Sequence, residues 1–246
     1  MKWQDSSTDT IFILSMSALV NPSSVYVIVP AFNEGRVIRS VIEKIRAHAY
    51  SAVVVDDGSS PDLYPLVKDL PIHFLRHKVN LGQGAALQTG IEYALAQGAA
   101  YLVTFDADDQ HTAADISRFI DALAAGKADI ILGSRFLQDA AHNMPRRRKR
   151  LLQIARYINY LFTGLLLSDA HNGFRAMNRK AAEAIRMHEN RMAHATELLS
   201  QIKQKGLRYS ELPVQVRYTA YSRAKGQGLW SSFRILFDLL LAKLFG

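Results

Sequence analysis

The sequence predicts an α/β domain in which a mainly parallel sheet is flanked by helices. Between residues 25 and 134, short runs rich in β-branched residues alternate with stretches of helical periodicity, which is typical of parallel sheets. In addition, the polar clusters "PAFNE", "DDGSS" and "DADDQH" each follow a predicted strand directly. Because ligands of open parallel sheets bind at the carboxyl ends of the strands, we expect these clusters to meet at one rim.

The predicted elements follow one another closely along the chain. The strands are "VYVIVP", "SAVVVDD", "IHFLRH", "AYLVTFDAD" and "ADIILGS". Helical stretches follow the first, third and fourth of them, namely "EGRVIRSVIEKIRAHA", "QGAALQTGIEYALAQG" and "AADISRFIDALAAG". We therefore expect an N-terminal extension at residues 1–24 and a main domain at 25–228. Apolar residues at three- and four-residue steps predict an amphipathic C-terminal helix at 229–246.

The composition indicates an acidic partner and a hard metal ion. Lys and Arg number 30 against 22 Asp and Glu, and the net charge of +8 favours nucleic acid, phosphorylated ligands or an anionic membrane surface. The run "RRRKR" at 146–150 precedes an apolar stretch, which suits a membrane surface, although a solvated loop is the alternative. The chain has no cysteine, so thiolate metal sites and disulfides are excluded. Its apolar runs are too short or too charged to span a bilayer.

Three aspartates lie within four positions after a predicted strand. Such carboxylates repel one another unless a cation lies among them. In an extended segment Asp106 and Asp108 would project to the same side, with Gln110 in step, so these three residues are predicted to bind Mg²⁺ or Mn²⁺ on a diphosphate. The alternative is a solvated turn with a helix N-cap, which would explain Asp109.

The segment "NLGQGAALQTG" is a weaker candidate for a dinucleotide site. Gly82 and Gly84 match the first two glycines of that fingerprint, but Leu87 occupies the third position. No acidic ribose ligand follows at the expected distance. The segment is therefore interpreted as a tight turn into a closely packed helix, with Asn80 and the glycine amides near a ligand.

Seven segments together resemble a known family. "VIVPAFNE", "VVVDDGSS", "NLGQGAALQTGI", "FDADDQH", "LGSRF", "DAHNGFRAMNR" and "VQVRYTAYSRAKGQG" occur in the order and spacing of family 2 glycosyltransferases with a GT-A fold. The chain is most similar to the dolichyl- and undecaprenyl-phosphate sugar transferase branch, which includes dolichol-phosphate mannosyltransferases. The resemblance implies inverting transfer of a sugar from a UDP- or GDP-sugar to polyprenyl phosphate, with Mg²⁺ or Mn²⁺, for cell-surface glycans. It also implies a location on the cytoplasmic face of the membrane, with a small membrane protein as a further partner.

The resemblance also implies roles for individual residues. The residues expected to bind the nucleotide sugar are Pro30, Phe32, Glu34, Val55, Asp57, Asp106, Ala107, Arg217 and Lys225. The residues expected to be catalytic are Asp108, Arg135, Asp169 and Arg175. Arg217 and Lys225 match basic positions on a mobile loop of the family. For Arg135, the alternative is an ordinary solvated arginine at the end of a strand. Asn172 stands where many relatives have a serine before "GF".

The acceptor determines which further chemistry the site needs. A lipid phosphate is already anionic near neutral pH, so its transfer requires no strong protein base. A saccharide hydroxyl would require a carboxylate to take its proton, and Asp169 or Glu197 could do so, although Glu197 is equally interpretable as a structural helix residue. His111 and His194 are expected to orient neighbours or to be exposed. A non-enzymatic module binding nucleic acid is the remote alternative.

Overall fold

The computed structural model describes residues 20–137, 156–157, 160–161, 163–170, 172–190 and 193–216. Arg217, Lys225, the basic run at 146–150 and the C-terminal helix at 229–246 therefore lie outside the described residues. Within the described part, no helix is both long enough and apolar enough to cross a membrane.

The strands and helices alternate as predicted. The strands are β1 (Val25–Ala31), β2 (Ser51–Asp56), β3 (His73–Arg76), β4 (Tyr101–Thr104), β5 (Ile130–Ser134), β6 (Arg175–Asn178) and β7 (Tyr209–Pro213). The helices are α1 (Ile38–Arg46), α2 (Tyr64–Val67), α3 (Gln83–Ala96), α4 (Asp115–Ala124), α5 (Arg179–Ala184) and α6 (His194–Gln204). A single 3-10 turn, Pro22–Ser24, precedes β1. The five predicted strands are confirmed, but β4 ends at Thr104, four residues earlier than predicted.

The strands form one mixed sheet in the order β3-β2-β1-β4-β6-β5-β7. Parallel pairs join β3, β2, β1 and β4, and another joins β5 to β7. Strand β6 is antiparallel to both β4 and β5, and its first residue, Arg175, pairs with Thr104 and Leu132. The sequence patterns did not predict β6 or β7. Because β6 runs in reverse, the start of "FRAMN" joins the carboxyl-end rim of the other strands.

Helices cover both faces of the sheet, as predicted. One apolar cluster joins the sheet to α1 and α4, and a second joins it to α3, α5 and α6. The sequence of α1 explains why this helix packs on the sheet. Its buried residues recur at three- and four-residue steps and so form one apolar face, namely Ile38, Val41, Ile42 and Ile45. Successive β1 residues alternate between the clusters, as Val27 and Ile28 do. These two layers leave the ends of the strands open as the place for a ligand.

Candidate active site

The three polar clusters meet at the carboxyl ends of β1, β2 and β4. The backbone N–H of Asp57 donates to Ala31 O at 2.8 Å, and that of Phe105 donates to Ile28 O at 2.9 Å. The N–H of Asn33 donates to Ser59 Oγ at 2.9 Å, which ties the first cluster to the second. The predicted rim is therefore confirmed.

Asp108 lies in a turn that begins at Ala107, just after Asp106, so the predicted extended geometry of this motif is wrong. The chain leaves β4 at Thr104, and Asp109 has a left-handed φ of 60°. Asp108 closes the turn by accepting hydrogen bonds from the backbone N–H of Gln110 at 3.1 Å and from its side-chain Nε2 at 2.8 Å. Asp108 and Gln110 are thus brought together as predicted, but by a different local conformation.

Asp109 faces away from this pair. Both of its oxygens contact Lys44 Nζ, at 2.6 and 2.8 Å. It does not cap α4, because the N-cap of that helix is Ala114, which makes no side-chain capping bond. The helix N-cap given as the alternative explanation of Asp109 is therefore wrong, and an ion pair with Lys44 occupies its carboxylate.

Asp106 is surrounded by donors and positive charge. Gln83 Nε2 donates to its Oδ1 at 3.1 Å, and His111 Nε2 lies 3.7 Å from its Oδ2, a distance at which the contact is mainly electrostatic. Burial raises the pKa of Asp106, but His111, Arg175 and His194 outweigh it, so that the pKa lies below its usual value. Asp106 is therefore held as a carboxylate.

Close packing at Gly173 fixes the position of Asp106. A Cβ at residue 173 would lie 2.3 Å from Asp106 Oδ2, closer than any real contact. The Gly173 carbonyl also accepts a hydrogen bond from Thr104 Oγ1 at 2.6 Å. The "NGF" segment is thus packed directly against residues 105–110, here called the acid turn. This close contact requires a residue without a side chain at position 173.

Asp108 is less well compensated than Asp106. Burial, and then the negative charges of Asp106 and Glu34, raise the pKa of Asp108 to about 6, although Gln110 and His111 act in the opposite direction. Among the described residues, no group of three or more His, Cys, Asp or Glu side chains could hold a metal ion alone. Asp106, Asp108 and Gln110 fit the weaker donor set of Mg²⁺, which uses one or two carboxylates together with substrate phosphates.

Most residues predicted to bind the nucleotide lie along the ends of β1 and β2. Pro30 pairs with Val55 across the strands, and Phe32 is 43% exposed at the rim. Glu34 is buried, close enough for its charge to act on Asp108. The side chains of Val55 and Ala107 are buried in the two core clusters, so a ligand would meet their backbone and not their methyl groups.

Asp57 holds a loop of the protein itself. Its Oδ1 accepts from Leu81 N at 2.9 Å and its Oδ2 from Gly82 N at 2.7 Å, while His77 Nδ1 lies 2.7 Å from Oδ1. The N–H of Gly84 donates to Asn190 O at 2.9 Å. Since the N–H groups of Gly82 and Gly84 donate within the protein, the structure agrees with a closely packed turn and gives the dinucleotide interpretation no support. The expectation that these amides face a ligand is wrong.

Arg135 and Asp169 form a two-pronged ion pair. Arg135 donates from Nε to Asp169 Oδ2 at 2.6 Å and from NH2 to Oδ1 at 2.8 Å, so Arg135 is not simply solvated. Arg175 is buried, and burial lowers its pKa while the charges of Asp106 and Asp169 raise it. Glu211 holds the turn that leads into Asp169, because its Oε1 accepts a hydrogen bond from Ser168 Oγ at 2.7 Å.

The remaining candidates are buried or bonded to loops. Glu197 accepts from the N–H groups of His188 and Glu189 at 2.9 to 3.0 Å, which supports its structural interpretation. His111 and His194 are 8% and 4% exposed, so the expectation that they are merely exposed is wrong. Asn172 is buried as well, and its Oδ1 accepts from Phe174 N at 2.8 Å.

Sequence reasoning missed three residues that shape the site. They are His77, Gln83 and Glu211, and each acts through a partner more than 19 positions away in the chain. Gly173 had a signal, because it lies in the quoted "NGF", but the reason for a glycine there appears only from its contact with Asp106.

Comparison with known proteins identifies the family. The family described as "Glycosyl transferase family 2" matches residues 26–186. A UDP-N-acetylglucosamine–dolichyl-phosphate N-acetylglucosaminyltransferase from Methanococcus voltae is 30% identical over 241 residues, covering 89% of this chain and 96% of the relative. Polyprenol monophosphomannose synthase from Mycolicibacterium smegmatis is 32% identical over 179 residues, covering 68% and 67%. The chain therefore belongs to glycosyl transferase family 2 and is a glycosyltransferase.

Solved structures share the fold. Glucosyl-3-phosphoglycerate synthase from Mycobacterium tuberculosis, crystallised with Mn²⁺, UDP and glucosyl-3-phosphoglycerate, superposes with a TM-score of 0.70 at 17% identity, covering 98% of this chain and 86% of that one. The same enzyme with Mn²⁺ and UDP-glucose also has a TM-score of 0.70. The predicted GT-A fold is confirmed.

Proposed function

We propose that this enzyme transfers a sugar, with inversion, from a nucleotide-diphosphate sugar to a polyprenyl phosphate at the cytoplasmic face of a membrane, for cell-surface glycan synthesis. Two relatives at or above 30% identity are named for transfer to dolichyl phosphate and for synthesis of polyprenol monophosphomannose. The single observation that favours the lipid phosphate in this chain is the state of Asp169.

Asp169 is poorly placed to act as a general base. Its two oxygens accept hydrogen bonds from the Arg135 guanidinium at 2.6 and 2.8 Å, and the Arg135 N–H lies 3.1 Å from Oδ2. Proton uptake by Asp169 would have to disrupt these hydrogen bonds. Glu197, the other candidate, is engaged by loop amides. An acceptor that is already an anion needs neither of them, which supports phosphate over a saccharide hydroxyl.

Asp106, Asp108 and Gln110 would hold the divalent cation, Mg²⁺ or Mn²⁺. When bound, the cation would neutralise charge on the donor diphosphate. The protein holds these proposed ligands in position. Gln83 and His111 contact Asp106, and Gln110 donates to Asp108. Both carboxylates must be ionised, and below pH 6 a proton on Asp108 competes with the cation.

Basic residues behind the acid turn favour an anionic acceptor. Arg175 lies where the charges of both Asp106 and Asp169 act on its pKa, so it connects the two acidic elements of the site. Because its guanidinium is buried, its charge acts strongly on any anion that enters. Asp169, whose charge acts on Arg175, is itself paired with Arg135. We expect Arg217 and Lys225 to add charge against the leaving nucleotide diphosphate.

A single displacement fits this set of groups. The lipid phosphate oxygen attacks the anomeric carbon while the bond to the nucleotide diphosphate breaks, so the configuration at that carbon inverts. No protein nucleophile is needed, because the acceptor supplies the electron pair. We expect Phe32, which is exposed at the rim, and the backbone near Pro30 to orient the nucleotide.

The decisive experiment is a matrix of donors and acceptors. UDP- and GDP-sugars are incubated with Mg²⁺ or Mn²⁺ and with either a polyprenyl phosphate or an oligosaccharide, and labelled sugar is followed into each product. We expect label in the lipid phosphate only. Label in the oligosaccharide alone would establish the saccharide route, and Asp169→Asn would then be the test of its base.

Peripheral attachment is tested separately by vesicle flotation. We expect the protein to float with anionic vesicles at low salt through residues 146–150 and 229–246, and to lose this binding when the five basic residues become Gln. A protein that floats only when a small membrane protein is co-expressed would identify that partner as the anchor.

A further inference from the structure

A left-handed residue lies inside the acid turn. Asp109 has a φ of 60°, and a non-glycine residue in this region is strained and persists only where its surroundings hold it. Asp109 lies between Asp108 and Gln110, which are hydrogen-bonded to each other across it at 3.1 and 2.8 Å. The backbone angle at residue 109 therefore sets the position of Asp108 relative to Gln110.

Lys44 holds Asp109 in place from outside the turn. Its Nζ contacts both carboxylate oxygens, at 2.6 and 2.8 Å. Lys44 lies in the last turn of α1, whose apolar face is buried in the same cluster as Phe105 and Ala107 of the acid turn. The ammonium group is thus mounted on an element that is fixed relative to the end of β4.

We propose that Lys44 is a positioning residue for the cation site. By clamping Asp109 in its left-handed conformation, Lys44 presets Asp108 and Gln110 for a divalent ion before the donor arrives. This inference rests on the proposed function in one respect, the assignment of Asp106, Asp108 and Gln110 as cation ligands. Lys44 is half exposed, and exposed ion pairs add little to folding stability. Its effect therefore falls on cation affinity and not on unfolding.

Two substitutions at residue 109 separate geometry from charge. Asp109→Ala and Asp109→Gly both remove the carboxylate and the contact with Lys44, but only glycine adopts a positive φ freely. We measure Mn²⁺ affinity by calorimetry in the presence of UDP and, in parallel, of GDP. Asp109→Gly is expected to stay within about twofold of the wild type, whereas Asp109→Ala is expected to bind Mn²⁺ about tenfold more weakly.

A second pair of variants tests the clamp itself. Lys44→Gln is expected to weaken Mn²⁺ binding about fivefold, and the double variant Lys44→Gln with Asp109→Gly is expected to restore it. Arg39→Gln is the matched control, because Arg39 lies on the same helix, is 45% exposed and makes an equally short pair with Asp69 at 2.7 Å. Arg39→Gln should leave Mn²⁺ affinity unchanged. Lys44→Gln and Arg39→Gln should both keep the wild-type unfolding midpoint.

The outcomes distinguish this inference from the proposed function. A wild-type protein that binds no Mn²⁺ with either nucleotide overturns the cation assignment, and the inference with it. A wild type that binds Mn²⁺, with equal affinities for the alanine and glycine variants, overturns the inference alone. If Asp109→Ala fails to fold, the comparison of Lys44→Gln with the double variant decides, and equal affinities there overturn the clamp.

Discussion

Asp129 and Asp108 are carboxylates at opposite ends of the same sheet, and their neighbours have opposite charge. Asp129 precedes β5, its side chain is 2% exposed, and it accepts from Arg208 NH2 at 2.9 Å and from Asn178 Nδ2 at 3.2 Å. Arg208 and these hydrogen bonds outweigh burial and hold the pKa of Asp129 well below its usual range. At the rim, burial and two acidic neighbours raise the pKa of Asp108 to about 6.

This difference shows which end of the sheet is built for stability and which for a ligand. At the Asp129 end the chain supplies the compensating cations, so the carboxylate stabilises the junction of β5, β6 and β7. At the rim the acid pair repels itself, and perturbed ionisation of this kind is concentrated at functional sites. A mutation at the Asp129 end should therefore lower the free energy of unfolding, and a mutation at the rim should lower catalytic activity.

The largest effect is expected from Asp108→Asn. The variant keeps the shape of the turn but loses one charge of the proposed cation site, so kcat/KM should fall about 1,000-fold. Its unfolding midpoint should be unchanged or higher, because repulsion from Asp106 and Glu34 is relieved. Initial rates and thermal unfolding measure the two quantities. A marked loss of stability in this variant would contradict the division between the ends.

Asp129→Asn is the reciprocal test. Removing this charge takes the ion pair with the exposed Arg208 away from a buried position, so the free energy of unfolding should fall by roughly 1–3 kcal/mol. Urea titration measures it. Activity at a temperature where the variant stays folded should remain within about twofold of the wild type, since distant sites act independently. A fall in activity without a fall in stability would show that Asp129 affects the site at the opposite end of the sheet.

The two carboxylates should also give opposite pH dependences. Because the pKa of Asp129 is lowered on folding, its contribution is complete above pH 4 and is lost as the pH falls further. The pKa of Asp108 is raised to about 6, so its ionised form opposes folding above pH 6, and stability recovers as the pH falls from 7 towards 4. Asp108→Asn should remove this gain, roughly 2–3 kcal/mol, from urea titrations over that range. Identical pH profiles for wild type and variant would refute it.

Gln83→Ala is expected to have the smallest effect. It removes one hydrogen bond to a charged group, so nucleotide affinity in the presence of Mn²⁺ should fall about fivefold. Gln97→Ala, at the exposed far end of the same helix, serves as the control. Calorimetry with UDP or GDP gives both affinities, and equal values for the two variants would show that Asp106 does not depend on this contact.

Local sequence patterns predicted the sheet and its rim but not the contacts that shape the site. Alternating apolar runs located β1, β2 and β4, because burial of such residues determines the local structure. The short "RAMN" strand has no such pattern, and β6 was missed. The ion pair of Asp109 with Lys44 joins residues that are 65 positions apart. Arg135 and Asp169 are 34 positions apart, and nothing local indicates their pairing.

The reversal of β6 has a consequence for how the segment between β5 and β6 can vary in length and sequence. Strand β5 ends at Ser134 and β6 begins at Arg175, so the chain between them leaves and returns at the same rim. Its two ends are joined by the 2.6 Å contact between Ser134 Oγ and Ser168 Oγ and by the pair of Arg135 with Asp169. A segment closed at its base in this way could be lengthened or exchanged without shifting the register of the sheet. Grafting the corresponding segment from a relative should therefore leave the unfolding midpoint of the sheet unchanged.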